Sequence, residues 1–175
     1  MGQGQDPGYD TQATVSANGR FVAFASNSTT LVPGFDATGT IDIYVRDTWT
    51  EAISVASVNL SGVQSTGSQS TTPFISDEGR YVAFTSTGDD LAAGDTDSDR
   101  DIFLRDMETG TTTLVSVAHD GGAASGSSWN PCLSPDGQFV VFVSSATDLV
   151  SGVTLSQQNV YIRELAQTTG ATRLV

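Results

Sequence analysis

Hydrophobic and polar positions along this chain alternate in short runs with a period of two. In Phe21-Val-Ala-Phe-Ala-Ser26, the residues Phe21, Ala23 and Ala25 fall on one side and Val22, Phe24 and Ser26 on the other, so both faces are largely apolar. A strand patterned this way is covered on both sides. Pro73-Phe-Ile-Ser76 and Pro131-Cys-Leu-Ser134 read as short strands that precede two similar runs. Between each pair, Asp-Glu-Gly79 or Pro-Asp-Gly137 places glycine where a tight hairpin turn needs positive φ, as Ala-Asn-Gly19 does earlier. The block Asp101-Ile-Phe-Leu-Arg-Asp106 predicts a third strand. The turn at Met107-Glu-Thr-Gly110 then leads into a fourth, Thr113-Leu-Val-Ser-Val117. No segment carries a helical period.

This four-strand pattern occurs three times. A shift of about 60 residues aligns the segments beginning at Ser16, Ser76 and Ser134, each with glycine three residues on and the apolar strand after it. The register continues through Ser26, Ser86 and Ser144, then Leu31, Leu91 and Leu149, then Gly34, Gly94 and Gly152. A second block aligns Asp42-Ile-Tyr-Val-Arg46-Asp47 with Asp101-Ile-Phe-Leu-Arg105-Asp106 and Asn159-Val-Tyr-Ile-Arg163-Glu164. So regular a period marks a repeat architecture. Stacked four-stranded antiparallel units cover both faces of their inner strands, whereas a sandwich leaves one polar face per strand, so the pattern predicts an all-β fold of propeller blades. The division is an N-terminal tail (1–10), blade 1 (11–58), a loop (59–70), blade 2 (71–117), a loop (118–128) and blade 3 (129–175).

The stretch Ser-Pro-Asp-Gly137 with Phe139 and Phe142, followed by Asn159-Val-Tyr-Ile-Arg163, resembles the WD40-like repeat of TolB-type propellers, and the likeness runs from about Thr11 to Val175. The Gly-His and Trp-Asp dipeptides of ordinary WD40 repeats are absent, as is the tryptophan of the sialidase Asp-box. What the resemblance implies is a fold. Functions in the family range from binding protein partners to gating substrate access in prolyl-oligopeptidase-like enzymes.

Three blades do not close a ring, since propellers close with four to eight. Two copies would supply six, the number that the resemblance implies for TolB-like rings. A homodimeric six-bladed ring is therefore expected, because open terminal blades would bare the apolar strands around Val22/Phe24 and Val140/Phe142. The competing reading is a piece of a longer propeller.

Charge narrows the partners. There are 20 acidic and 7 basic residues, all seven of them arginine, for a net charge of −13, which makes nucleic acid and anionic membrane surfaces poor partners. Of the acidic residues 16 are Asp, as suits a chain rich in turns and strand ends. No apolar run approaches the roughly 18 residues of a membrane span, and Met1-Gly-Gln-Gly-Gln5 lacks the features of a signal peptide, so no membrane insertion is expected. Cys132, the single cysteine, lies in an apolar strand pattern and reads as a small core residue.

The densest chemical signal is Asp95-Thr-Asp97-Ser-Asp99-Arg-Asp101, where four carboxylates alternate just before a strand. Such oxygen-rich spacing suits Ca²⁺, although Arg100 and Asp106 stand where an EF-hand needs Gly and Glu. The same residues also read as a solvated acidic turn whose last Asp starts the strand. Blade 1 keeps only Asp36 and Asp42 here, and blade 3 has Asn159 at the end of the loop. The repeated Arg46-Asp47, Arg105-Asp106 and Arg163-Glu164 point to structural ties at strand ends rather than a catalytic arginine. Trp129 and Trp49 stand where other blades carry small or polar residues, marking them as candidate partner contacts or as covers for blade edges. His119, the one histidine, lies in a Gly-rich loop beside Asp120, and no Gly-x-Ser-x-Gly elbow is present. These features point to a noncatalytic module that binds a protein or glycan and self-associates, in an exported, periplasmic or extracellular bacterial setting. The alternatives are the gating propeller of a larger hydrolase, or a propeller fragment.

Overall fold

A computed structural model of the chain describes residues 12–35, 39–65, 68–153, 157–165 and 171–175. The expected tail and Asp36 lie outside them. The described residues form three four-stranded antiparallel sheets in simple meander order. Blade 1 holds β1 (Ala13–Val15), β2 (Phe21–Ser26), β3 (Asp42–Asp47) and β4 (Ile53–Val55). Blade 2 holds β5 (Ser70–Ile75), β6 (Tyr81–Ser86), β7 (Asp101–Asp106) and β8 (Thr111–Leu114), and blade 3 holds β9 (Ser128–Leu133), β10 (Phe139–Ser144), β11 (Asn159–Glu164) and β12 (Thr172–Leu174). The fold is all-β, and no helix in the described residues is long and apolar enough to cross a membrane.

The first hairpin turn of each blade is built the same way. The Ser16 hydroxyl accepts the Phe21 N–H at 2.9 Å, while the Gly19 N–H donates to the Ser16 carbonyl. Ser76 with Tyr81 and Ser134 with Phe139 repeat the arrangement. The serine thereby satisfies a backbone donor where the ladder ends, which explains why it recurs.

Pairing register assigns every inner-strand residue to one of two faces. In blade 1, Ala23 stands opposite Val45 and Ala25 opposite Ile43, and this forward face packs on Val82, Phe84 and Phe103 of blade 2. The forward face of blade 2, carrying Ala83, Ile102 and Leu104, packs in turn on Val140, Phe142 and Tyr161 of blade 3. Both blade junctions are thus the same event, a forward face of small and branched residues against a rear face led by stacked aromatics. The aromatic pairs Phe84/Phe103 and Phe142/Tyr161 have ring centroids 5.8 and 6.0 Å apart, and Phe24/Tyr44 repeats them in blade 1.

A second lock accompanies each junction. The ring of Phe21 lies so close beneath the turn of blade 2 that a Cβ on Gly79 would fall 2.1 Å from it, and Tyr81 stands 2.3 Å from a Cβ on Gly137 in the same way. Backbone bonds join the turns as well, from the Ala17 N–H to the Asp77 carbonyl and from the Asp77 N–H to the Pro135 carbonyl. Gly19 has φ +73° like its counterparts but open space around it. Gly79→Ala should therefore add overpacking to left-handed strain and cost about 2–5 kcal/mol, whereas Gly19→Ala should cost about 1 kcal/mol. Chemical denaturation of the two variants beside the parent measures the gap, and equal costs would contradict the socket.

Candidate functional site

Two features of the fold bear on function: the acidic loop between β6 and β7, and the two outer faces that the described blades leave uncovered.

The acidic loop ends at Asp101, the first residue of β7, which is 0% exposed, and Asp95 is only 8% exposed. One carboxylate oxygen from each of Asp95, Asp97 and Asp101 lies within 4.8 Å of the others. Successive turns shape the loop: the Asp97 N–H donates to Asp95 Oδ1 at 3.4 Å, and the Asp99 N–H to Asp97 Oδ1 at 2.8 Å. Asp99 itself stands outside the group. Burial raises the Asp101 carboxyl to about 7; the Ser116 hydroxyl, donating to Oδ1, opposes the rise and the neighbouring Asp95, Asp97 and Asp99 charges add to it. Asp95 is raised to about 6, again mainly by burial. The second oxygen of Asp101, Oδ2, is buried and has no hydrogen-bond partner.

The outer faces of the stack are apolar. Behind blade 1, Val22 and Phe24 are half-buried, whereas their counterparts Val82 and Phe84 in blade 2 are fully buried, and Val15 beside them is 57% exposed. In front of blade 3, Val141, Val143 and Ile162 are half-buried and Val160 is 41% exposed. Cys132 belongs to this face, because it pairs with Val141, and it is exposed rather than part of the core. The sequence-based expectation fails there for a structural reason. Phe74 occupies the matching place in blade 2 and is packed beneath blade 3, while blade 3 has no following blade in the described chain to cover Cys132.

The tryptophans are set apart. Trp49, 69% exposed in the β3–β4 turn, lies against the Arg20 guanidinium, 4.8 Å from its ring centroid. Trp129 is the second residue of β9, opposite Val143, and half-buried. His119 shares a cleft of about 540 Å³ with Asp120 and Arg163. Its Nδ1 lies 2.9 Å from the Asp148 carbonyl oxygen, and among the described residues no serine hydroxyl is hydrogen-bonded to it.

The repeated Arg-Asp dipeptides do not pair within themselves. Asp47 holds Arg20 and Asp106 holds Arg80, each across the hairpin, while Arg105 and Arg163 donate to Thr112 and Thr172 on the fourth strands. Blade 3 carries Gln138 in place of the first arginine, and Glu164 faces Arg173 instead. The Arg80 guanidinium holds the Asp106 carboxyl down at about 2. A depressed carboxyl favours the folded state above its unfolded value of about 4, and that contribution fades as pH falls through about 2. Arg80→Gln should accordingly lower the melting temperature at pH 6, with the deficit shrinking as the buffer approaches pH 2; a deficit independent of pH would contradict the pairing.

The sequence matches no protein-family model and no curated relative. The fold, however, matches solved structures. It superposes on TolB from Acinetobacter baumannii with a TM-score of 0.57 at 17% identity, over 94% of this chain and 32% of that one. Putative TolB from Agrobacterium tumefaciens gives 0.57 at 18% identity, over 90% and 43% respectively. The tricorn protease gives 0.55 at 17% identity, over 92% and 14%. The chain spans less than half the length of each of these proteins. What it shares with them is architecture: three four-stranded blades with the TolB-like β-propeller fold.

Proposed function

We propose that this chain is a noncatalytic propeller module that builds its ring by pairing with a second copy and presents its loops to a protein or glycan. The observation that carries the proposal is the match between its two bare faces. The stack ends on a rear face at blade 1 and a forward face at blade 3, and these are the two kinds of face that mate at both internal junctions. Two copies related by a two-fold axis would seat each forward face on the other's rear face and close six blades.

The locks are left over in the same complementary way. Gly19 has an empty socket, and Phe139, the counterpart of Phe21 and Tyr81, has no following turn in the described chain to sit beneath. A second copy brings Phe139 to Gly19. One element of the internal junctions is missing from this pairing, because Pro135 has no N–H to donate as Ala17 and Asp77 do. The junction between copies is for that reason the weaker one, and the ring opens there first.

Light scattering on the purified chain should return twice the 18.2 kDa mass of one copy. Val160→Asp places a charge on the forward face and should give a monomer that keeps its β-sheet circular dichroism. Cys132 reports on the same face and should react with a maleimide slowly in the dimer and rapidly in the Val160→Asp variant. A monomeric parent protein at about 100 μM, where even a weak dimer is populated, with Cys132 freely reactive, would overturn the pairing and leave other blades as the occupant of both faces.

A further inference from the structure

Blades 1 and 2 treat the same aspartate differently. In blade 1 the carboxylate that opens the third strand, Asp42, is saturated: Ser57 Oγ donates to Oδ1 at 2.7 Å and Gln64 Nε2 to Oδ2 at 3.0 Å. Blade 2 keeps the first of these contacts, with Ser116 donating to Asp101 Oδ1, and even the supporting bond persists, the Ile102 N–H to Ser116 Oγ matching the Ile43 N–H to Ser57 Oγ. It lacks the second. The loop bridge that pairs Val58 with Gln64 in blade 1 pairs Val117 with Ala123 in blade 2, so a methyl group stands where the amide donor should be.

Asp101 Oδ2 is consequently orphaned at a fully buried residue. A buried carboxylate oxygen with no donor is costly, and such groups are normally paired or coordinate a metal. Asp95 and Asp97 are brought to it by the loop. The blade with the three clustered carboxylates is thus the one that lacks the amide.

We propose that Asp95, Asp97 and Asp101 bind Ca²⁺, and that the ion takes in blade 2 the place that the Gln64 amide takes in blade 1. The geometry fits the ion. Oxygens within 4.8 Å of one another fall inside the roughly 5 Å that separates opposite ligands at calcium's bond lengths of about 2.3–2.6 Å. Three carboxylates give a trivalent anionic set, with backbone carbonyls and water completing the six to eight ligands that calcium takes. The ion would pin the loop to β7 next to the junction with blade 3, where the Arg100 carbonyl accepts the Ser128 N–H at 2.6 Å. It is thus a structural tie between blades 2 and 3, independent of whether copies pair.

The test is thermal unfolding and calorimetric titration of the full chain, stripped with EDTA and then given CaCl₂ up to about 10 mM, a range that covers extracellular calcium modules. The parent protein should melt about 3–6 °C higher in saturating calcium. Asp97→Asn should weaken binding about 10-fold or more, since it removes one of three charges at the ion. The decisive variant is Ala123→Gln, which restores the donor of blade 1: it should fold, melt above the parent protein without metal, and lose the calcium response. A parent melting temperature unmoved by calcium would overturn the site. So would an Ala123→Gln protein that responds to calcium as the parent does.

Discussion

The structure depends on one constraint: the inner strands of every blade are apolar on both faces, so no blade is stable until each face is covered by a neighbour. A sheet with a wet face can stand as the edge of a domain, but a sheet with two dry ones cannot. From this follow the stacking of blade on blade, the division of each blade into a forward and a rear face, and the residual problem at the two ends. Blade 2 shows the satisfied state, with Val82, Ala83, Phe84, Ile102 and Phe103 all excluded from water. Blades 1 and 3 each show half of it.

Face complementarity alone would allow blades to slide or tilt against one another. The glycine sockets remove that freedom. An aromatic ring seated under the next turn fixes the radial position of each blade, and a glycine is required there twice over, for the left-handed backbone and for the absence of a Cβ. The hydroxyl of the preceding serine holds the turn in the shape that forms the socket, and in blade 2 the Arg80–Asp106 pair lies beside it.

Polar groups buried between apolar faces are normally paired, and the different surroundings of Asp42 and Asp101 show how a repeat protein diverges one blade at a time. The aspartate serves the same local purpose in both blades, supporting a serine that caps the end of the third strand. What differs is the other oxygen, which accepts from the Gln64 amide in blade 1 and has no hydrogen-bond partner in blade 2. Such a difference is invisible within the acidic loop itself, because it turns on Ala123, 22 residues away from Asp101.

Much of this was legible in the amino-acid sequence. Period-two alternation with two apolar faces, glycine at each hairpin and the repeat of about 60 residues determine four-stranded blades and the number of them, because strand periodicity and turn chemistry are local properties. The carboxylate run was visible too. Tertiary structure alone decided that Asp99 stands apart from Asp95, Asp97 and Asp101, since side-chain direction inside a turn follows its dihedral angles rather than a fixed period. It also decided that Cys132, set between residues as apolar as any core strand's, faces outward, because burial there depends on a neighbouring blade and not on the strand's own pattern. The empty socket at Gly19 and the orphaned oxygen of Asp101 belong to the same class. Each is defined by a group that is missing from the other side of a contact, and a contact between distant segments exists only once the chain has folded.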